Sequence, residues 1–313
     1  MNKPLIKTSI AAAIAACSAL AICVPAQAAS TYAATKYPIV TAHGLGGFNS
    51  IGPVEYFYGI TSDLQANGAT VYVTQVSAWN SSDVRSEQFL KQLKQILAVS
   101  GAQKVNLLGH SQGAQTVRYA AGVMPDRVAS VTTVAGVNYA SPVADAVTGF
   151  SSAIGPQGTA LVASLMNALG KMESLLAGDP SLPQDALGAM NSMNTPGANA
   201  FNARFPAGLP TASCGQGPAV ANGMRFYSWG GVAGSTNAFD PLDYLLMVTS
   251  LAFGGSASDG LVGKCASHLG TVIRDDYALN HFDSVNQTIG LHGSFDPVPL
   301  YRQHANRLKL QGL

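Results

Sequence analysis

The chain has 313 residues, of which 47% are hydrophobic and 11% charged, where ordinary globular proteins carry about a quarter charged. With 17 Lys and Arg against 16 Asp and Glu, the balance gives no electrostatic basis for nucleic acid as a partner. A surface so poor in charge suits work at an apolar interface, although a compact enzyme with a small surface has the same composition.

The first 28 residues read as a removable export leader. Lys3 and Lys7 precede an apolar stretch from Ile10 to Val24, and Ala26-Gln27-Ala28 forms a small-residue cleavage site, so the mature protein is expected to begin near Ala29 and to be secreted. Cys17 and Cys23 would leave with the leader. Cys214 and Cys265 then remain in an oxidising compartment, where a disulfide is the natural expectation. No polar linker, charge run or repeat divides the remaining ~285 residues, which are read as a single domain, 29–313, around one core.

From Tyr37 onward, short apolar runs alternate with segments of helical spacing. Strands are expected at Pro38–Ala42, Ala69–Val76, Val105–Leu108, Val128–Ala135 and Met224–Trp229, with helices at Ser82–Val99 and Gln112–Met124. That order implies an α/β fold with a mostly parallel central sheet and helices on both faces. The segment around 145–200 lacks strand signals. Within it Leu161, Val162, Leu165, Met166, Leu169, Met172, Leu175 and Leu176 form one apolar stripe, as either a core-facing helix or a movable lid would.

The sharpest chemical signal is Gly109-His-Ser111-Gln-Gly113, entered from an apolar strand run and left into a helical pattern. This is the context of a nucleophile elbow, in which glycines two positions either side let strand and helix approach closely. Ser111 is the expected nucleophile. A tetrahedral intermediate needs two backbone donors, and these are expected at Gln112 N–H and Leu45 N–H, the latter in the loop His43-Gly44-Leu45-Gly46-Gly47. His43 itself is read as a loop-shaping residue, because the order in this architecture is nucleophile, acid, histidine. Candidate bases are therefore His268, His281, His292 and His304. His304 lies between Arg302 and Arg307 in a pattern that looks solvated, and His268 follows closely on Cys265. Asp259, in the turn-like Ser256-Ala-Ser-Asp-Gly260, and His281, in the polar loop Asn280-His-Phe-Asp283, are one candidate pair among these, and the residues alone do not single it out.

The sequence resembles the foldase-dependent bacterial true lipases of the Pseudomonas and Burkholderia type. The resemblance spans the mature chain and is carried by Tyr37-Pro-Ile-Val with His43-Gly44, Val105-Asn-Leu-Leu-Gly-His-Ser111, Ser258-Asp-Gly-Leu-Val262 with Cys265, Val272-Ile-Arg-Asp275, Asn280-His281 and Tyr301-Arg-Gln-His-Ala-Asn-Arg-Leu308. It implies an α/β-hydrolase fold with a helical lid around Leu161–Leu176, a triad of Ser111, Asp259 and His281, oxyanion donors at Leu45 and Gln112, and a Cys214–Cys265 disulfide. It also implies one structural Ca2+ held by the carboxylates of Asp240 and Asp283 and the carbonyls of Gln287 and Leu291, ligands of the hard oxygen type that calcium takes. Taken alone, Asp283 also reads as a helix N-cap. The expected activity is hydrolysis of triacylglycerol at an oil–water interface, with a dedicated foldase as partner. A carboxylesterase or polyester depolymerase with the same triad is the alternative. The chain departs from the family pattern at Gln112, where many relatives carry histidine, and at Val137-Asn-Tyr-Ala-Ser-Pro142, where relatives show a Pro-His-Lys-Gly run.

Overall fold

A computed structural model describes residues 30–313, so the leader, Cys17 and Cys23 lie outside the described residues. In chain order the elements are β1 (Ile39–Ala42), β2 (Ser50–Ile51), β3 (Val54–Glu55), α1 (Ile60–Ala66), β4 (Val71–Val73), α2 (Ser82–Ser100), β5 (Val105–His110), α3 (Gly113–Val123), β6 (Val128–Val134), α4 (Pro142–Ala153) and α5 (Gly155–Leu176). They continue with α6 (Ala186–Met193), α7 (Thr195–Arg204), β7 (Val220–Ala221), β8 (Met224–Gly231), α8 (Pro241–Thr249), β9 (Thr271–Tyr277), the single turn α9 (Gln287–Gly290) and α10 (Val298–Leu310).

The main sheet runs β4-β1-β5-β6-β8, with β7 and β9 both pairing to β8. Every pairing in it is parallel except the short β7–β8 ladder. Parallel strands must be covered on both faces, which is why β1, β5 and β6 are apolar-rich and buried at every position. On one face Phe89, Leu93 and Leu97 of α2 and Val117, Ala120 and Ala121 of α3 pack against Val40, Val105, Leu107 and Val131. On the other, Ile60 and Leu64 of α1 and Tyr301 and Ala305 of α10 pack with Ile39, Leu108 and Val134. The mostly parallel sheet covered on both faces, expected from the alternation of strands and helices, is the one observed.

Local chemistry sets the ends of α2. Ser81 accepts from the Val84 N–H as N-cap, and Gly101 closes the helix at φ +65°, a value that suits glycine. Strand β4 stops at Val73, short of the expected Val76. Beyond it side chains take over the backbone groups: the Gln75 and Ser77 N–H groups donate to Gln92 and Gln88 of α2, and the Val76 N–H to His43 Nε2. Strand β9 forms in a stretch for which no element is expected. His304 of α10, expected on a solvated face, is buried. It meets Thr132 Oγ1 at 2.8 Å and packs on Tyr227 and Trp229, while its neighbour Arg302 turns away to pair with Asp63.

Helices α4–α7 fill the segment that lacks strands. The α5 stripe faces outward: Leu161 is 73% exposed, with Leu165, Leu169, Met172, Leu175 and Leu176 also exposed, while only Gly170 and Ser174 are buried. The core-facing alternative is thereby excluded. Cys214 and Cys265 form a disulfide that joins the loop before β7 to the short 3-10 turn Cys265–Ser267.

Candidate active site

The site grows from the junction of β5 and α3. Ser111 occupies the left-handed region at φ +56°, a strained conformation for a residue with a Cβ. It is pinned there from both sides, its N–H donating to the Val134 carbonyl at 3.1 Å and its own carbonyl accepting from Val137 at 3.1 Å. The flanking glycines answer to space: a Cβ at 109 would lie 2.3 Å from the Gly113 carbonyl oxygen, and one at 113 would lie 2.4 Å from that of Ala42. Gly44 is equally confined, since a Cβ there would come within 2.7 Å of both Ser111 Cβ and Tyr56 Oη.

The N–H groups of Leu45 and Gln112 donate to no group among the described residues, while the neighbouring Gly46 and Ser111 N–H groups are engaged by the Ala78 and Val134 carbonyls. Their loop is held from beneath by Arg85, a fully buried cation on α2. Its guanidinium donates to the carbonyls of His43 (2.6 Å), Gly44 (2.9 Å), Ser77 (2.7 Å) and Ala78 (3.0 Å), and burial lowers its pKa to about 10. His43 lies under the same loop. It accepts from Val76 at Nε2 and faces the Gly44 carbonyl through Nδ1 at 2.9 Å, which fixes one neutral tautomer, and burial with the nearby Arg85 lowers its pKa to about 3. A histidine so placed shapes the loop and is unfit to act as a base near neutrality.

Of the four candidate histidines, His281 is the one brought beside the elbow. Its ring packs at a tilt against that of His110, the residue before Ser111, with centroids 4.6 Å apart, and its Nδ1 lies 2.8 Å from Asp259 Oδ2. The other carboxylate oxygen of Asp259 accepts two backbone N–H groups, from Leu261 at 3.0 Å and Val262 at 2.7 Å, so the carboxylate is oriented before the imidazole meets it. Asp259 and His281 are both buried. The Ser111 hydroxyl has no hydrogen-bond partner among the described residues; resting hydrolases commonly hold this link long until substrate binds. The remaining histidines stand elsewhere. His268 lies between the Gly215 carbonyl and Asp275, His292 faces the Gly293 carbonyl, and His304 sits under the sheet.

Asp240 and Asp283 are both buried, and each has one carboxylate oxygen without a partner, Oδ2 in Asp240 and Oδ1 in Asp283. Their other oxygens are engaged, Asp240 Oδ1 by the Leu242 N–H and Asp283 Oδ2 by Thr236 Oγ1. Asp240 thus caps α8, whereas Asp283 begins a 3-10 turn without capping it through its side chain. Burial pushes both carboxyls above the ordinary aspartate range. Gln287 and Leu291 bracket α9, whose β-branched Thr288 and Ile289 stand at φ +56° and +58°, a conformation such residues adopt only under constraint. Orphaned, buried carboxylate oxygens are hard ligands of the kind a cation such as calcium takes. No group of three or more His, Cys, Asp or Glu suited to a metal occurs among the described residues, so such an ion would depend on the backbone carbonyls.

With this geometry in view, relatives are informative. Residues 37–153 match the family model described as alpha/beta hydrolase fold. A triacylglycerol lipase of Vibrio cholerae serotype O1 is 49% identical over 90% of this chain and 90% of its own, and one of Pseudomonas fragi is 44% identical over 89% and 98%. The chain belongs to the triacylglycerol lipase family. It is therefore an α/β hydrolase enzyme, and its fold is shared with the crystal structure of Staphylococcus hyicus lipase at a TM-score of 0.63 and 16% identity, over 89% of this chain and 98% of that one. Against that background, three residues that contact the site of this lipase were not visible in the sequence: Arg85 beneath the loop, and the buried pair Tyr56 and His110 beside Ser111. Arg85 looks like a surface residue of an amphipathic helix until its neighbours Ser82, Ser86 and Phe89 are seen to share its buried face.

Proposed function

We propose that the protein is a secreted triacylglycerol lipase that works through an acyl-enzyme on Ser111. The reading is carried by one observation, the Asp259–His281 hydrogen bond packed against the residue that precedes a strained Ser111. His281 Nε2 takes the Ser111 proton as the hydroxyl attacks the ester carbonyl, while the unpaired N–H groups of Leu45 and Gln112 receive the developing oxyanion. Asp259 holds the imidazole in the tautomer that presents Nε2 and stabilises its charged form. His281 then gives the proton to the departing glycerol oxygen, and a water repeats the attack on the acyl-enzyme. Removing one oxyanion donor of this kind costs about 10²–10³ in kcat.

The substrate class is supported by the surface. The exposed α5 stripe is joined by Phe150 on α4 and by Phe239, Tyr244, Leu245, Met247, Val248 and Leu251 on and around α8, far more exposed apolar surface than a scatter of single residues. An oil surface would cover these groups and hold α5, as a lid, away from the pocket. The carboxylates of Asp240 and Asp283 with the carbonyls of Gln287 and Leu291 would hold one Ca2+. When bound, that ion neutralises two buried charges and fixes the loop that begins two residues after His281. Secretion is supported by the composition of residues 1–28, and a dedicated foldase by family membership alone.

The test is hydrolysis of emulsified long-chain triacylglycerol by the secreted enzyme, with Ser111→Ala beside it and a fluorophosphonate as covalent label. Turnover and labelling by the wild type, with neither in the variant, support the reading. An active Ser111→Ala removes it, and activity confined to short soluble esters replaces the lipase by a carboxylesterase. If both proteins are silent, co-expression with a foldase from a relative should restore the wild type alone.

A further inference from the structure

Beside the triad lies a buried polar chain that the reaction as described does not use. His110 is fully buried; its Nδ1 meets Tyr56 Oη at 2.8 Å and its Nε2 meets the backbone carbonyl of His281 at 3.1 Å. A carbonyl only accepts, so Nε2 carries the hydrogen, Nδ1 is left with its lone pair, and the tyrosine hydroxyl donates to it. The ring is therefore neutral, and burial together with the adjacent His281 holds its pKa well below 6.5.

We infer that His110, kept in one tautomer by Tyr56, is a positioning residue for the catalytic base: its Nε2–H fixes the His281 carbonyl, so that the base is clamped along its main chain as well as through its ring. The opposite end of the same residue is held in parallel, since the His281 N–H donates to the Asp259 carbonyl at 2.9 Å. Together the two contacts remove the rigid-body freedom that a single Asp259–imidazole bond leaves. Tyr56 is itself fixed from outside. The Gln287 side chain donates to the Tyr56 and Glu55 carbonyls, and Tyr56 packs edge-on against Phe57 and Phe48. The neutral state matters too: a charged ring with its centroid 4.6 Å from that of His281 would oppose formation of the imidazolium when Ser111 attacks. His110 touches no reacting atom in this scheme, and its effect passes through the position of His281.

The inference rests on the triad reading, which the test keeps separate. Wild-type enzyme labelled by fluorophosphonate beside an inert Ser111→Ala establishes that reading first; failure at this point concerns the triad and not His110. Three variants are then compared on a soluble nitrophenyl ester, together with their unfolding temperatures. His110→Leu, which has no donor, should lose about 10²-fold in kcat at nearly unchanged KM, the size expected when a catalytic group is misplaced by about an ångström. His110→Gln, whose side-chain N–H can reach the same carbonyl, should recover most of that loss. Tyr56→Phe, which removes the hydroxyl that selects the tautomer, should show a smaller kcat loss with KM again unchanged. Wild-type kcat in a folded His110→Leu, or a glutamine variant no better than the leucine one, overturns the inference. Should His110→Leu fail to fold, wild-type kcat in Tyr56→Phe overturns it instead.

Discussion

At the scale of single residues, the site depends on groups that burial has fixed in one state. His43 and His304 are both held at about 3, against an ordinary 6.5, by burial and by Arg85 and Arg307 respectively. An unfolded chain takes up these protons near pH 6.5 and the folded chain only near pH 3. Throughout that window the unfolded state binds more protons, so stability falls as pH drops through it, by about 1.4 kcal/mol per pH unit for each histidine. Thermal unfolding followed from pH 7 to pH 4 should show this decline, and His304→Gln, which can keep the Thr132 contact, should make it shallower. The elbow was fully legible at this scale because a tight strand-to-helix turn demands three particular residues, two of them glycine, within five positions. The proposed acid and base were legible only as candidates. Asp259 and His281 meet through the geometry of two loops, and local composition carries no record of which loops the sheet will bring together. His304 was misread for a related reason: flanking arginines advertise a solvated face, yet the contact with Thr132 comes from a strand 172 residues away.

Among the elements, the crossing of β5, α3 and the loop after β1 is where small changes should cost most. A methyl group at 113 would meet the Ala42 carbonyl at 2.4 Å, backbone against backbone, with no side chain free to yield. Gly113→Ala should lower stability by about 1–3 kcal/mol, the usual range for overpacking, and should cut kcat further by displacing the elbow. Denaturant unfolding and ester hydrolysis measured together would separate the two effects; unchanged values in both would refute the packing argument. Strands β1, β5, β6 and β8 could be read from their apolar runs because burial on both faces favours apolar side chains, and polar ones that do occur there, such as Ser130 and Asn106, are hydrogen-bonded to each other within the sheet. Strand β9 could not, since Thr271–Tyr277 carries the charged run Arg274-Asp275-Asp276 and is mostly half-buried, so that pairing to β8 alone defines it. The α5 stripe was legible as a stripe. Its direction was not, because helical periodicity specifies one apolar face and leaves open whether protein or another phase covers it.

For the molecule as a whole, two long-range ties should set resistance to unfolding. The Cys214–Cys265 bridge spans 51 residues, and a closed loop of that length is worth about 4 kcal/mol in the chain-entropy account. Replacing both cysteines by serine should lower the unfolding midpoint accordingly while leaving kcat on soluble esters close to wild type, since neither sulfur touches the triad. A bound Ca2+ would add about 2.7 kcal/mol at a free concentration 100 times its Kd. Chelation should therefore lower the unfolding temperature and, through the His281 loop, the activity; a melting curve indifferent to chelator would refute the assignment of Asp240 and Asp283. One further tie joins the apolar helix to the loop that carries Leu45. Trp79 lies against Gly46 on one side and Gly170 of α5 on the other, its indole N–H donating to Glu173 at 3.0 Å and its backbone engaged by Gln184 and Asp185. The only other tryptophan in the sequence, Trp229, is sealed within the sheet. Any swing of α5 would draw a carboxylate away from one of the chain's two indoles and leave the other undisturbed, so the enzyme carries its own optical gauge: its ultraviolet emission, unlabelled, would report the helix moving on contact with oil.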